Sequence, residues 1–316
     1  MIPITPKIRN LVFSANLYRL ISLRNLSHIV TYHMISDSLN GFYPETATKV
    51  FERQIAHLSK NYEIIPLDEV SLRITTGRSL RRSVAITFDD GFRDNYEKAY
   101  PILKRYNAPA TIFVAAGYIE SGDIPWFIRL RYIFKNTDRT RFQLRAIGSD
   151  GVMPMTSRSE RFAASQVAME YLMLLPERDR ASLIRDLADD LKVAGFDELG
   201  NLMLDWRQIR EMSENGISMG AHTVTHPNLN SVPLGKAEWE IRTSKETIEQ
   251  NIRSPVTSFA YPFGRLQQFS RQHVDLLKAL QFKCAVTTEL GVVSHKSNVF
   301  ELHRSAPWDF HMAGSL

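Results

Sequence analysis

The chain has 316 residues, 44% of them hydrophobic and 23% charged, with a formal net charge of +5. That is enough chain to bury a large core without disulfides or a structural metal, and the single cysteine, Cys284, excludes an intrachain disulfide. The charge excess is modest and sits in no long Lys/Arg block, which argues against a nucleic-acid reader, and no run of about 18 apolar residues marks a transmembrane helix.

No acidic residue precedes Asp37, whereas Lys7, Arg9, Arg19 and Arg24 are basic, and Ile8, Leu11, Val12, Ala15 and Tyr18 recur at helical spacing. Residues 1–26 therefore read as a basic helical segment, either packed on the domain or lying on a membrane surface. Asn16 and Arg19 interrupt the apolar residues between Leu11 and Leu23, so a signal-peptide core is lacking. The expected location is cytoplasmic, with peripheral membrane contact through this segment.

Short apolar or β-branched runs follow at 28–34, 84–88, 110–114, 217–221, 257–261 and 283–287. They have the character of strands buried on both faces. Helical patterns lie between them. Phe51, Ile55 and Leu58 mark one, and Tyr96, Tyr100 and Leu103 another. Trp239, Ile241 and Ile248 fall in a charged helix over 236–252, and Ser270 reads as the N-cap of a helix carrying Val274, Leu277 and Leu280. Cys284 lies in an apolar run and is expected in the core. The alternation predicts an α/β fold with a parallel sheet, and periodicity leaves open whether the sheet closes into a barrel. The middle differs. Between 120 and 200 the sequence predicts helices at 163–175 and 178–193 and a turn at Gly148-Ser149-Asp150-Gly151, with little strand signal after Gln143. This divides the chain into a body, 27–119 and 201–316, and a helical insertion, 120–200.

Two motifs carry chemistry. Thr87-Phe88-Asp89-Asp90-Gly91 ends a strand. Neighbouring strand residues face opposite ways, so two carboxylates share one site only if the chain turns there, as Gly91 permits. His222-Thr223-Val224-Thr225-His226 follows another strand, and two histidines four apart meet on one helical turn. One carboxylate and two imidazoles make a three-ligand metal site with open positions, and a second carboxylate beside it can take a proton from water.

These motifs resemble the first and second motifs of the NodB-homology polysaccharide deacetylases. The resemblance extends to Thr31-Tyr32-His33, Pro109-Ala110-Thr111-Ile112-Phe113-Val114, Met203-Leu204-Asp205-Trp206 and Phe259-Ala260-Tyr261-Pro262-Phe263-Gly264, covering roughly 28–310. It implies a distorted (β/α) barrel of the polysaccharide deacetylase type with a helical insertion. It implies that Asp90, His222 and His226 hold a divalent metal, Zn2+ by preference, and that Asp89 is the general base. His303, after Leu302, matches the general-acid position. The backbone near Phe263 is implied as the oxyanion donor, and His33, Tyr261, Phe263 and Arg304 are expected against the substrate, an N-acetylated glycan. The chain departs from the family where Ala260 replaces an arginine that contacts the base, and the acid-plus-tryptophan motif is not recognisable over 287–293. Two other readings follow from the same residues: a formyl or amide hydrolase acting on a small molecule or glycolipid, and a catalytically silent glycan-binding protein.

Overall fold

The computed structural model describes residues 25–38, 42–196 and 199–305. Most of the basic N-terminal segment, with the membrane contact expected of it, lies outside the described residues. No helix among the described residues is long and apolar enough to cross a membrane.

Strand β1 (Ser27–Tyr32) leads into a small parallel pair, β2 (Met34–Ile35) and β3 (Glu45–Thr46). Helix α1 (Thr48–Asn61) buries Phe51, Ile55 and Leu58, one per turn, as an amphipathic helix must. Then come β4 (Glu63–Ile64), α2 (Leu67–Thr76) and β5 (Ser83–Phe88). A π-helical turn (Asn95–Ala99) runs into α3 (Tyr100–Arg105), followed by β6 (Ala110–Val114). Beyond β6 lie α4 (Trp126–Asn136), an antiparallel hairpin of β7 (Arg141–Gln143) and β8 (Val152–Pro154), then α5 (Arg158–Leu172), α6 (Glu177–Asp190) and α7 (Trp206–Glu214). The chain finishes with β9 (Ile217–Ala221), α8 (Leu234–Ile252), β10 (Ser258–Ala260), α9 (Arg271–Ala279), β11 (Cys284–Leu290) and β12 (Leu302–Arg304). Ser270 caps α9 in a reciprocal box with His273, as its position predicts. Helix α4 and the β7–β8 hairpin occupy the middle region where sequence predicts neither.

The strands pair in the order β1-β5-β6-β9-β10-β11-β12, all parallel, with β4 added beside β5. Just past β12, the Ser305 N–H donates to the Ile29 carbonyl at 2.7 Å and the Thr31 N–H donates to the Ser305 carbonyl at 3.2 Å. These bonds bring the last strand back to the first, giving a nearly closed seven-stranded barrel. Closure answers the question that periodicity leaves open.

Alternate strand residues fall into two buried clusters. Ile29, Ala85, Phe113, Ala260, Val286 and Leu302 belong to one. Val30, Ile86, Ile112, Phe259 and Ala285 belong to the other, together with the helices. The pleat sends neighbours to opposite faces, so the first set fills the barrel and the second packs beneath the surrounding helices. Cys284 is fully buried. Residues that continue the inward parity past the C-terminal strand ends open into one pocket.

Candidate metal centre and active site

Parity along β5 sends Ala85 and Thr87 inward, and Asp89 continues that register. Asp90 would face outward on a continued strand. Instead it takes a left-handed conformation, φ 75°, with Gly91 at φ 82°. Aspartate tolerates that region better than most residues, and the turn swings its carboxylate back over the barrel mouth. The turn predicted from Gly91 thus begins one residue earlier.

His222 and His226 follow β9. They do not lie on a helical turn, as their spacing predicts, but on a loop in which Thr223 (φ 64°) and His226 (φ 53°) are left-handed. Two elements hold this loop. Glu240 of α8, fully buried, accepts the Val224 and Thr225 N–H groups at 2.8 Å each and the Thr225 hydroxyl at 2.7 Å. The Trp126 indole N–H donates to the His226 carbonyl at 3.1 Å. Trp126 is buried and positions the loop.

The result is a compact donor set. One ligand atom each from Asp90, His222 and His226 lies within 4.8 Å of the others, and all three residues are buried. Both imidazole Nε2 atoms stand 3.5 Å from Asp90 Oδ1. His222 Nδ1 pairs with the Ala260 carbonyl at 2.7 Å, which assigns the proton to Nδ1 and leaves the Nε2 lone pair facing Asp90. Burial works against charging His222, but the Asp90 hydrogen bond, the charges of Asp89 and Asp90 and the Ala260 carbonyl together outweigh it and raise its pKa. Burial pushes His226 down to about 3, with His222 adding to the effect. Two buried imidazoles with convergent nitrogens and one carboxylate form the donor set of a catalytic zinc-type site, so these residues fit a divalent metal.

Asp89 sits beside this set. Burial alone would push its carboxyl up, but the Arg304 guanidinium, by charge and by hydrogen bond, holds it well below the usual carboxylate range. Arg304 Nη1 and Nη2 donate to Asp89 Oδ1 and Oδ2, both at 2.7 Å, and Nε donates to the Thr287 carbonyl at 2.7 Å. The arginine is 1% exposed. It fills the role that the family assigns to an arginine at the position of Ala260. It was expected against substrate; it is committed to Asp89 instead.

The remaining candidates divide. His33, just past β1, has Nε2 3.8 Å from Asp89 Oδ2 and lines the same pocket, with its carbonyl held by Asn95 Nδ2 at 2.7 Å. Burial lowers its pKa, against the pull of Asp89 and Asp90. The Phe263 ring lies 4.7 Å from the His226 ring and lines the pocket, and its backbone is left-handed at φ 61°. No acceptor takes its N–H among the described residues. Tyr261 does not reach the pocket: it is 1% exposed, stacks on Phe269 at 3.8 Å and donates to the Phe300 carbonyl. His303 does not either. Its neighbours Leu302 and Arg304 point inward, so it points outward, exposed and against Gly291. Sequence reasoning missed Phe127, Arg131, Gln166, Met169, Glu170 and Met173, which wall the pocket from α4 and α5. Gln166, Met169, Glu170 and Met173 recur at three- and four-residue spacing, a signal for a shared face but not for what it faces.

The sequence model of the family described as polysaccharide deacetylase matches residues 76–285. The chain belongs to the polysaccharide deacetylase family. Among curated relatives, Bacillus subtilis YxkH, named as a polysaccharide deacetylase, is 25% identical over 281 residues, 87% of this chain and 69% of that protein. The poly-beta-1,6-N-acetyl-D-glucosamine N-deacetylase of Staphylococcus aureus is 32% identical over 111 residues, 35% of this chain and 38% of that enzyme. The structure of the Streptococcus pyogenes deacetylase PplD in complex with acetate superposes with a TM-score of 0.60 at 21% identity, covering 89% of this chain and 92% of that one. This family member thus shares the barrel of solved deacetylases.

Proposed function

We propose that this polysaccharide deacetylase family member hydrolyses N-acetyl groups of amino sugars in a glycan or its lipid-linked precursor, with zinc held by Asp90, His222 and His226. The observation that carries the reading is the buried Asp90–His222–His226 set beside a second carboxylate, Asp89, clamped at both oxygens by Arg304. The amino-sugar substrate is supported by the poly-N-acetylglucosamine specificity in the name of the Staphylococcus aureus relative.

A divalent ion at this site supplies Lewis-acid polarisation of the acetyl carbonyl and lowers the pKa of water. Asp89, kept ionised by Arg304, takes the proton of the attacking water. The free N–H of Phe263 donates to the oxyanion of the tetrahedral intermediate. The leaving amine needs a proton, and His33 is the imidazole on the pocket wall positioned to give it, in place of His303. The attack forms a C–O bond from water to the acetyl carbon, and collapse breaks the C–N bond, releasing acetate and the free amino sugar.

The test is acetate release from N-acetylated oligosaccharides by metal-stripped and zinc-restored protein. Zinc should restore turnover, His222→Ala should eliminate it together with zinc binding, and Asp89→Asn should bind zinc yet lose about 10²-fold or more in kcat. Zinc binding without acetate release from any glycan would turn the reading toward a formyl or small-molecule amide hydrolase.

A further inference from the structure

Hydrolysis as proposed uses one wall of the pocket. The opposite wall, from α4 and α5, carries a group that the reaction does not need. Arg131 of α4 lines the cavity above the metal ligands, close enough for Asp90 to favour its charged form. One guanidinium nitrogen donates to the Phe42 carbonyl, and Nη2 donates to Gln166 Oε1 at 3.3 Å. Its outer face lies over the Phe162 ring. A guanidinium has five N–H donors, so these two bonds leave others uncommitted. Arg131 makes no ion pair among the described residues. Burial pushes its pKa down, yet a guanidinium stays charged at neutral pH.

A second arginine, Arg265, reaches the cavity from the turn after β10, exposed and likewise without an ion pair among the described residues. Glu170, one turn along α5 from Gln166, is the only carboxylate of this outer wall among the described residues, and it pairs with neither arginine. A largely buried cation in no direct ion pair carries a desolvation cost that an incoming anion offsets. A planar fork with free N–H groups suits the two oxygens of a carboxylate or phosphate.

We infer that the pocket takes a glycan bearing an anionic group, a carboxylate or a phosphate, next to the acetylated amino sugar, and that Arg131 holds that group with Arg265 assisting from the facing turn. The inference rests on the deacetylase reading of the same site and deepens it to a substrate class.

The experiment measures acetate release by the zinc-loaded full chain from three probes. One is a neutral oligomer of N-acetylglucosamine. The second is an oligosaccharide alternating N-acetylglucosamine with glucuronate, and the third is N-acetylglucosamine 1-phosphate. Equilibrium binding of each probe is measured alongside. One anionic probe should exceed the neutral oligomer in kcat/KM or affinity by about ten-fold or more, with the preference shrinking as salt rises. Comparing the uronate and phosphate arms identifies the source of the charge. Arg131→Gln should lower values for that probe about ten-fold more than for the neutral oligomer, Arg131→Lys less so, and Arg265→Gln, an exposed change, should weaken the same preference. Equal treatment of charged and neutral probes, or an equal fall for all of them in Arg131→Gln, would overturn the inference and leave Arg131 as a strap between residue 42 and α5. Absence of acetate from every probe would sink the deacetylase reading alone, because the binding preference and its loss in Arg131→Gln would still decide the role of Arg131.

Discussion

Arg304 reaches Asp89 across 215 positions of sequence, and the reason is parity. Leu302 lies in the barrel interior, so Arg304, two residues on, points the same way and arrives at Asp89. Ala260 faces inward on β10 and leaves the space that an arginine there would fill. Both residues were visible in the sequence. Their exchange of roles was not, because it depends on β12 closing against β1. The same parity argument separates Arg304 from His303, and it needs only the strand assignment to apply. With Arg304→Gln, burial becomes the main influence on Asp89 and its carboxyl rises. The acid limb of the kcat/KM profile should therefore move to higher pH, with activity at neutral pH down by about 10–100-fold. Arg304→Lys keeps the charge but loses the two-pronged contact, so it should move the limb less. An unmoved limb in Arg304→Gln would show that Asp89 is not the titrating base.

At the scale of elements, the histidine loop depends on a helix that sequence identifies without revealing its purpose. The charged pattern over 236–252 predicts α8 and its buried Ile241 and Ile248. It does not single out Glu240 among the glutamates, since the partners of Glu240 lie 15 and 16 residues upstream in a loop. Buried at 0% exposure and joined to Lys236 at 3.0 Å, it fixes Val224 and Thr225, which lie between the two left-handed residues Thr223 and His226. Glu240→Gln keeps the shape and removes the charge, turning one acceptor into an NH₂ group that opposes backbone N–H. Zinc affinity should fall by about 10–100-fold while the helix persists, as titration and circular dichroism would show. Full affinity in this variant would mean the loop holds itself. Helix α4 escaped prediction for a different reason. Trp126, Phe127, Ile128, Leu130, Tyr132, Ile133 and Phe134 are all buried, so its apolar residues run around the helix and leave no clear 3.6-residue stripe. The β7–β8 hairpin has three-residue strands, too short for alternation to register.

At the scale of the molecule, folding buries ionisable groups both at the barrel mouth and near the start of β1, and the metal-free protein bears the consequence. His226 is held down to about 3 and His28 to about 4, both mainly by burial. The unfolded chain, with histidines near 6.5, binds these protons more readily than the native state. Native stability is then full above pH 6.5 and is lost as pH falls toward 4 and 3. Asp94 acts in the opposite sense: burial raises it to about 7, so it costs stability as pH climbs from about 4 to 7. His33 and Asp89, also held low, add to the loss on acidification, while His222, held high, opposes it. Zinc at the proposed site would steepen the dependence, because it would bind only neutral imidazoles and stabilise the native state by mass action. At a free concentration about 100 times its dissociation constant it adds about 2.7 kcal/mol, several degrees in Tm for a chain of this length. Calorimetry with and without zinc should therefore show that increment at pH 7.5 and a smaller one by pH 5, because His222, held above its ordinary value, must give up its proton to the ion. His222→Ala should show none at any pH. An increment equal at pH 7.5 and 5 would place the ion on groups other than the two histidines.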